Sequence, residues 1–196
     1  MCLNTAMLPT IILILALMGS PASLGSVSMD LASRSLSLSN RYAVASVNDV
    51  FRYNILHTLD RMGYEFTLNP GESFAFHDDL LPAYSKNVVK TTNSHFNYQD
   101  GFKSDGYLMG DGVCHLASVI YWAALDAGLE TYVPANHDFA AIPDVPKEYG
   151  VSIFSMPGTN ADAGQNLYIR NNKDKPVKFV FSYENDALNV RVTEDR

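Results

Sequence analysis

A chain of 196 residues, 47% hydrophobic and 18% charged, is long enough for one domain whose core needs no disulfide staples. Its net charge of −7, with no cluster of lysine or arginine, excludes the basic stripe that nucleic-acid binding requires and disfavours docking on anionic lipid through charge. Of its two cysteines, Cys2 precedes an apolar run, which leaves Cys114 without a partner for an intrachain disulfide.

The apolar run at residues 10–18, bracketed by Pro9 and Pro21 and followed by small residues, has the length of a signal-peptide core and is short for a membrane span. Residues 1–25 therefore read as a signal peptide or N-terminal anchor, although no lysine or arginine precedes Arg34. An extracytoplasmic protein is expected, meeting the membrane only through that segment. Residues 26–41, rich in serine, leucine and small side chains, read as a linker. Residues 42–196 read as the folded domain.

Ser46 as N-cap, with Asp49 three residues later, predicts a helix start. Val47, Val50, Phe51, Ile55, Leu59 and Met62 then recur at helical spacing, and Gly63 is placed to end the helix. Residues 64–68 alternate as a strand, Pro70 and Gly71 make a turn, and residues 73–77 resume extended structure. His77-Asp78-Asp79 lacks further ligands at zinc-like spacing, so no metal and no cofactor is expected there. Residues 82–106 are long and irregular, the pattern of a lid or binding loop. The aromatic side chains Tyr84, Phe96, Tyr98, Phe102 and Tyr107 give that loop a contact surface, with Tyr98 and Phe102 as candidate binding residues.

Gly110-Asp111-Gly112 forms a flexed turn that runs straight into an apolar stripe. Val113, Leu116, Ala117, Ile120, Tyr121, Ala124 and Leu125 predict a core helix of about four turns, ended by Gly128. Cys114 lies in its first turn, where free N–H groups and the helix dipole favour a thiolate, the form that attacks. Asp111 opposes this with its negative charge. A nucleophile also needs a base. His115 diverges from Cys114 by about 100° on the helix. His137 follows the strand expected at 129–133, within residues 136–142, which read as a turn into another strand; a helix followed by an antiparallel strand could return it to the helix start. Asp144, Asp162 and Asn136 are each placed to orient that imidazole, and spacing does not choose among them. Gly110, Asp111, Gly112 and His115 are candidate binding positions around the cysteine. Residues 166–171, 177–183 and 188–193 alternate as a three-stranded antiparallel meander with one apolar face. The fold class is α+β, an antiparallel sheet against two main helices.

Two stretches carry a family resemblance. Asn69-Pro70-Gly71-Glu72-Ser73-Phe74-Ala75-Phe76 is similar to the "PGE-x-FSF" signature of the VanW-like domain family. Gly110-Asp111-Gly112-Val113-Cys114-His115-Leu116-Ala117-Ser118 is similar to its "GGGVCQ-x-ST" signature. The departures are Asp111 for a glycine, His115 for the glutamine and Ala117-Ser118 for the Ser-Thr pair. The resemblance covers about residues 41–193 and implies a cell-envelope setting, with peptidoglycan or an envelope peptide as the substrate or partner. A cysteine opening an apolar helix, with a histidine on a following strand, also resembles the layout of transglutaminase-like and papain-type cores. That layout implies Cys114 as nucleophile and His137 as base. Two hypotheses stand: a cysteine-dependent hydrolase or acyl/amide transferase acting on peptide amides, or a non-catalytic envelope module that binds wall polymer or a partner protein.

Overall fold

The computed structural model describes residues 28–39, 41–107, 109–155 and 161–195. The expected signal or anchor segment at 1–25 lies outside them. In chain order the elements are the strand Ser28–Ser37 (β1), the helix Ala45–Met62 (α1), the strands Glu65–Leu68 (β2), Ser73–Ala75 (β3) and Val88–Lys90 (β4), the helix Val113–Asp126 (α2), and the strands Glu130–Tyr132 (β5), Tyr168–Arg170 (β6), Val177–Glu184 (β7) and Ala187–Asp195 (β8). They form two four-stranded sheets, ordered β1-β8-β7-β2 and β4-β3-β6-β5. The α+β class holds, with one parallel pairing, β3 with β4, among antiparallel ones.

α2 is the hub. It packs on β1, β8, α1 and β5. Leu116, Val119, Ile120, Ala123 and Ala124 are fully buried, and each large aliphatic among them contributes about 1.5–3 kcal/mol of transfer free energy. Its alanines let neighbouring backbones approach closely. The helix ends at Asp126, and Gly128 takes the left-handed conformation (φ +72°) just beyond it. α1 ends as expected, with the Gly63 N–H bonded to the Leu59 carbonyl. Its start differs from the expectation. Val44, not Ser46, is the N-cap and makes no side-chain bond. Asn48 steadies the entry instead, accepting from the Tyr42 N–H at 2.8 Å and donating to the Tyr42 carbonyl at 2.7 Å.

Three further expectations are corrected. Residues 28–37, read as linker, form β1 and pair with β8 from Ser28↔Asp195 to Ser37↔Ala187. The C-terminal meander is a β7–β8 hairpin only; β6 belongs to the other sheet, between β3 and β5. Asn171 causes the parting. Its side chain donates to the Leu68 and Lys175 carbonyls, and its N–H to the Glu72 carbonyl, so the chain after β6 is tied to the β2–β3 turn. Finally, residues 82–106 are less irregular than expected: they contain β4 and bury Thr92, Ser94, Phe96 and Phe102. The two sheets share a stack of rings, with Phe66 4.9 Å from Phe74 and 4.8 Å from Phe179.

Candidate functional site

The turn before α2 is built around two glycines that no other residue could replace cheaply. Gly110 (φ +74°) lies against Phe96, and Gly112 (φ +99°) against the Phe51 carbonyl of α1. Asn54, fully buried on α1, clamps the turn: its amide donates to the Lys103 and Asp111 carbonyls, both at 2.9 Å, and its oxygen accepts from the Lys103 N–H at 2.9 Å. Asp111 does not cap the helix. Its carboxylate accepts from the Asp105 N–H at 2.9 Å, and burial pushes its pKa up to about 6.

Cys114 is partly buried, and its sulfur faces the irregular segment at 151–154. The Ile153 N–H points at Sγ over 3.4 Å, and Sγ lies 3.7 Å from the Ile153 carbonyl. Ser118 binds the same segment from one turn further on, donating to the Cys114 carbonyl at 2.7 Å and accepting from the Val151 N–H at 2.9 Å. Desolvation dominates the thiol: burial pushes its pKa up to about 11, with the Asp111 charge adding to the rise and the Ile153 N–H opposing it. The advantage expected of a helix start is therefore outweighed, and the thiol is protonated at neutral pH.

The imidazoles sit beside each other rather than on the sulfur. His115 and His137 stand 6.2 Å apart by ring centroids, nearly perpendicular. Arg41 donates to His115 Nδ1 over 3.0 Å and to the Pro143 carbonyl over 3.1 Å, and it also bonds the Ser37 carbonyl. Burial, followed by the nearby Arg41 charge, holds the His115 pKa well below the ordinary imidazole value. His137 lies in the loop after β5, not on a strand, and its Nδ1 contacts the Ala140 carbonyl at 3.1 Å. Burial lowers its pKa too. The group that orients His137 is thus a backbone carbonyl and not Asp144, Asp162 or Asn136. Asp144 stands 3.6 Å from Arg41 and accepts from the Ser37 N–H. Asp162 lies in the short 3-10 helix Ala161–Gly164, where its charge acts on His77.

These groups open into one cavity of about 350 Å³, lined by Tyr42, Phe51, Asp111, Cys114, His115 and His137 together with Gly110 and Gly112. Met109, Val113, Ile153 and Phe154 are also walls of an adjoining cavity of about 700 Å³ that reaches His95, Asn97 and Gln99. On the other side His137, Phe139 and Ala140 border a third, of about 270 Å³. The result is a groove crossing the start of α2, with the exposed rings Phe139 and Phe154 on its rim. Among the loop aromatics, Tyr98 is 71% exposed, but Phe102 is 2% exposed and packs on His57 and Phe96 as a core residue, so it is withdrawn from any contact surface.

Sequence reasoning missed Arg41, Ser118 and Ile153. Arg41 carried one usable signal, a cation at the very end of a stretch of small residues. The other two gain their roles only from the chain's return at 151–153. Among the described residues, no three His, Cys, Asp or Glu side chains converge to hold a metal ion, and no helix is long and apolar enough to cross a membrane. A family model described as "VanW like protein" matches residues 52–193. No curated protein and no solved structure matches the chain.

Proposed function

Because the chain belongs to the VanW-like family, we propose that it is an extracytoplasmic cell-envelope module that binds peptidoglycan, or a peptide of the envelope, along the groove over the start of α2. The observation that carries this reading is the groove itself. Three adjoining cavities share their walls, and exposed aromatic rings stand on the rim, so an extended chain fits better than a compact metabolite. The thiol beneath it is engaged with Ile153 and carries a raised pKa, which supports a packing role for Cys114. Co-sedimentation of the purified full chain with bacterial sacculi tests the proposal. Cys114→Ala is expected to bind as the wild type does, and Phe139→Ala with Phe154→Ala to lose binding. No sedimentation of the wild type at any wall concentration would sink the idea.

A second reading is favoured by one observation: Cys114 and a neutral His137 line the same cavity. On it, the protein is a cysteine-dependent hydrolase or acyl/amide transferase, and ligand entry would have to move Ile153 off the sulfur and bring His137 to it. Release of soluble fragments from sacculi by the wild type, abolished in Cys114→Ala, would establish this reading over the first.

A further inference from the structure

We propose that His115 and His137 form a fixed donor–acceptor pair that reads an uncharged amide of the bound chain. His115 Nε2–H donates to the amide carbonyl, and His137 Nε2 accepts from the amide N–H. This rests on the binding groove proposed above and names the group it recognises.

The assignment follows from what each partner is able to do. A guanidinium only donates, so His115 Nδ1, facing Arg41 Nη2 at 3.0 Å, must be an unprotonated acceptor, and the ring proton sits on Nε2. A carbonyl only accepts, so His137 Nδ1, facing the Ala140 oxygen at 3.1 Å, must carry the proton, which leaves its Nε2 with a free lone pair. Neither Nε2 has a hydrogen-bond partner among the described residues, no hydrogen bond joins the rings, and both residues line one cavity.

The arrangement is rigid. The Arg41 side chain is 1% exposed, and the Ser37 and Pro143 carbonyls hold its fork in place. Flipping the His115 ring would set a C–H against that guanidinium, and protonating it would set an N–H and a second cation there. Phe51 and Tyr42 pack on the same imidazole, with Phe51 5.0 Å away by ring centroids. Arg41 is thus a positioning residue, supplied from outside the stretch that the family model matches. The pair is selective by chemistry. A carboxylate would face the His137 lone pair, an ammonium would face the His115 N–H, and an amide satisfies both.

Long-range proton–nitrogen NMR of the imidazoles in the full chain tests this. The expected spectrum has His115 protonated at Nε2 and His137 at Nδ1, both neutral at pH 7. Titration with N-acetylalanine methylamide is expected to shift both Nε2 resonances, while acetate and methylammonium leave them in place. His115→Gln should keep the amide response, because its oxygen accepts from Arg41 and its NH2 donates onward. His115→Leu should weaken it by about tenfold, the value of one hydrogen bond. A His115 proton on Nδ1, or an acetate response equal to that of the amide, overturns the pairing. Sacculi binding without an amide response defeats this inference and leaves the proposed function standing. An amide response without sacculi binding does the reverse.

Discussion

Gly112→Ala should be the most damaging single methyl in the turn that carries the site. Gly112 adopts φ +99°, and a Cβ built on it stands 2.8 Å from the Phe51 carbonyl and 3.2 Å from Ile55 Cγ1. The first neighbour is helix backbone and cannot swing aside, so α1 must move away from α2. Left-handed backbone strain costs about 1–2 kcal/mol for an L-residue, and forcing a well-packed contact apart adds about 1–3 kcal/mol. A loss near 3 kcal/mol is expected, equivalent to a fall in Tm of roughly 6–12 °C for a domain of this size. Gly71→Ala is the matched control, because Gly71 has φ +82° but nothing within 4 Å of its added methyl. It should show the strain alone, about 1–2 kcal/mol. Urea unfolding of the two variants beside the wild type isolates the steric part. Equal losses in the two would refute the claim that close approach to α1 is what requires a glycine at 112.

Removing the clamp on the same turn, Asn54→Ala, strands the buried Asp111 carbonyl and the part-buried Lys103 N–H and leaves the Lys103 carbonyl with the Gly110 N–H alone; a loss of about 3 kcal/mol by urea unfolding is expected, and a loss under about 1 kcal/mol would show that the turn holds itself. The thiol of Cys114, pushed up to about 11, should alkylate with iodoacetamide slowly at pH 8 and with a rate still rising above pH 10; a plateau near the unperturbed value of about 8.5 contradicts the burial argument. The folded state holds that proton longer than the unfolded state does, so this group's contribution to stability is complete below pH 9 and is lost as pH rises toward 11. Asp111 has the same sign at lower pH: with its folded pKa near 6 against 3.8, stability falls as pH rises from about 4 to 6, so Asp111→Asn should raise Tm at pH 7 and change it little at pH 3.5. An Asp111→Asn variant less stable at pH 7 would mean that the carboxylate's bond to Asp105 outweighs its desolvation.

Much of the scaffold was legible because its strongest signals are local. α1 and α2 are long and periodic, Gly63 is a helix stop, and β7 and β8 alternate cleanly. β1 was missed for a definite reason. A register shift between Asp30 and Ala32 breaks the alternation, so the side chains turned inward change parity, with Leu36 and Leu38 buried on even positions after a partly buried Leu31 on an odd one. Serines in the remaining places made the stretch look like a linker. β6 reads as part of the C-terminal meander and is drawn away by Asn171, a tertiary tie that no window of sequence displays. At the site, the cysteine at the head of the core helix and the nearby histidines were legible from spacing. The pairing of those histidines with each other was not, because it depends on Arg41 reaching His115 across 74 positions of chain. The exchange of glutamine for His115 relative to the resembled signature then looks conservative in hydrogen bonding, since both side chains offer one acceptor and one donor.

The pairing of Ser28 with Asp195 has a mechanical meaning. The first residue of β1 and the last residue of β8 stand side by side at one end of the ladder. Tension applied there between the two ends would peel β1 away one rung at a time, loading a single pair of hydrogen bonds at any moment instead of shearing the row together. The first rungs to part lie far from Arg41. Continued peeling toward Ser37 would loosen the carbonyl that holds the Arg41 fork, and with it the lock on His115. A pull on the ends of this domain would therefore reach the groove through β1 before α1 or α2 yields.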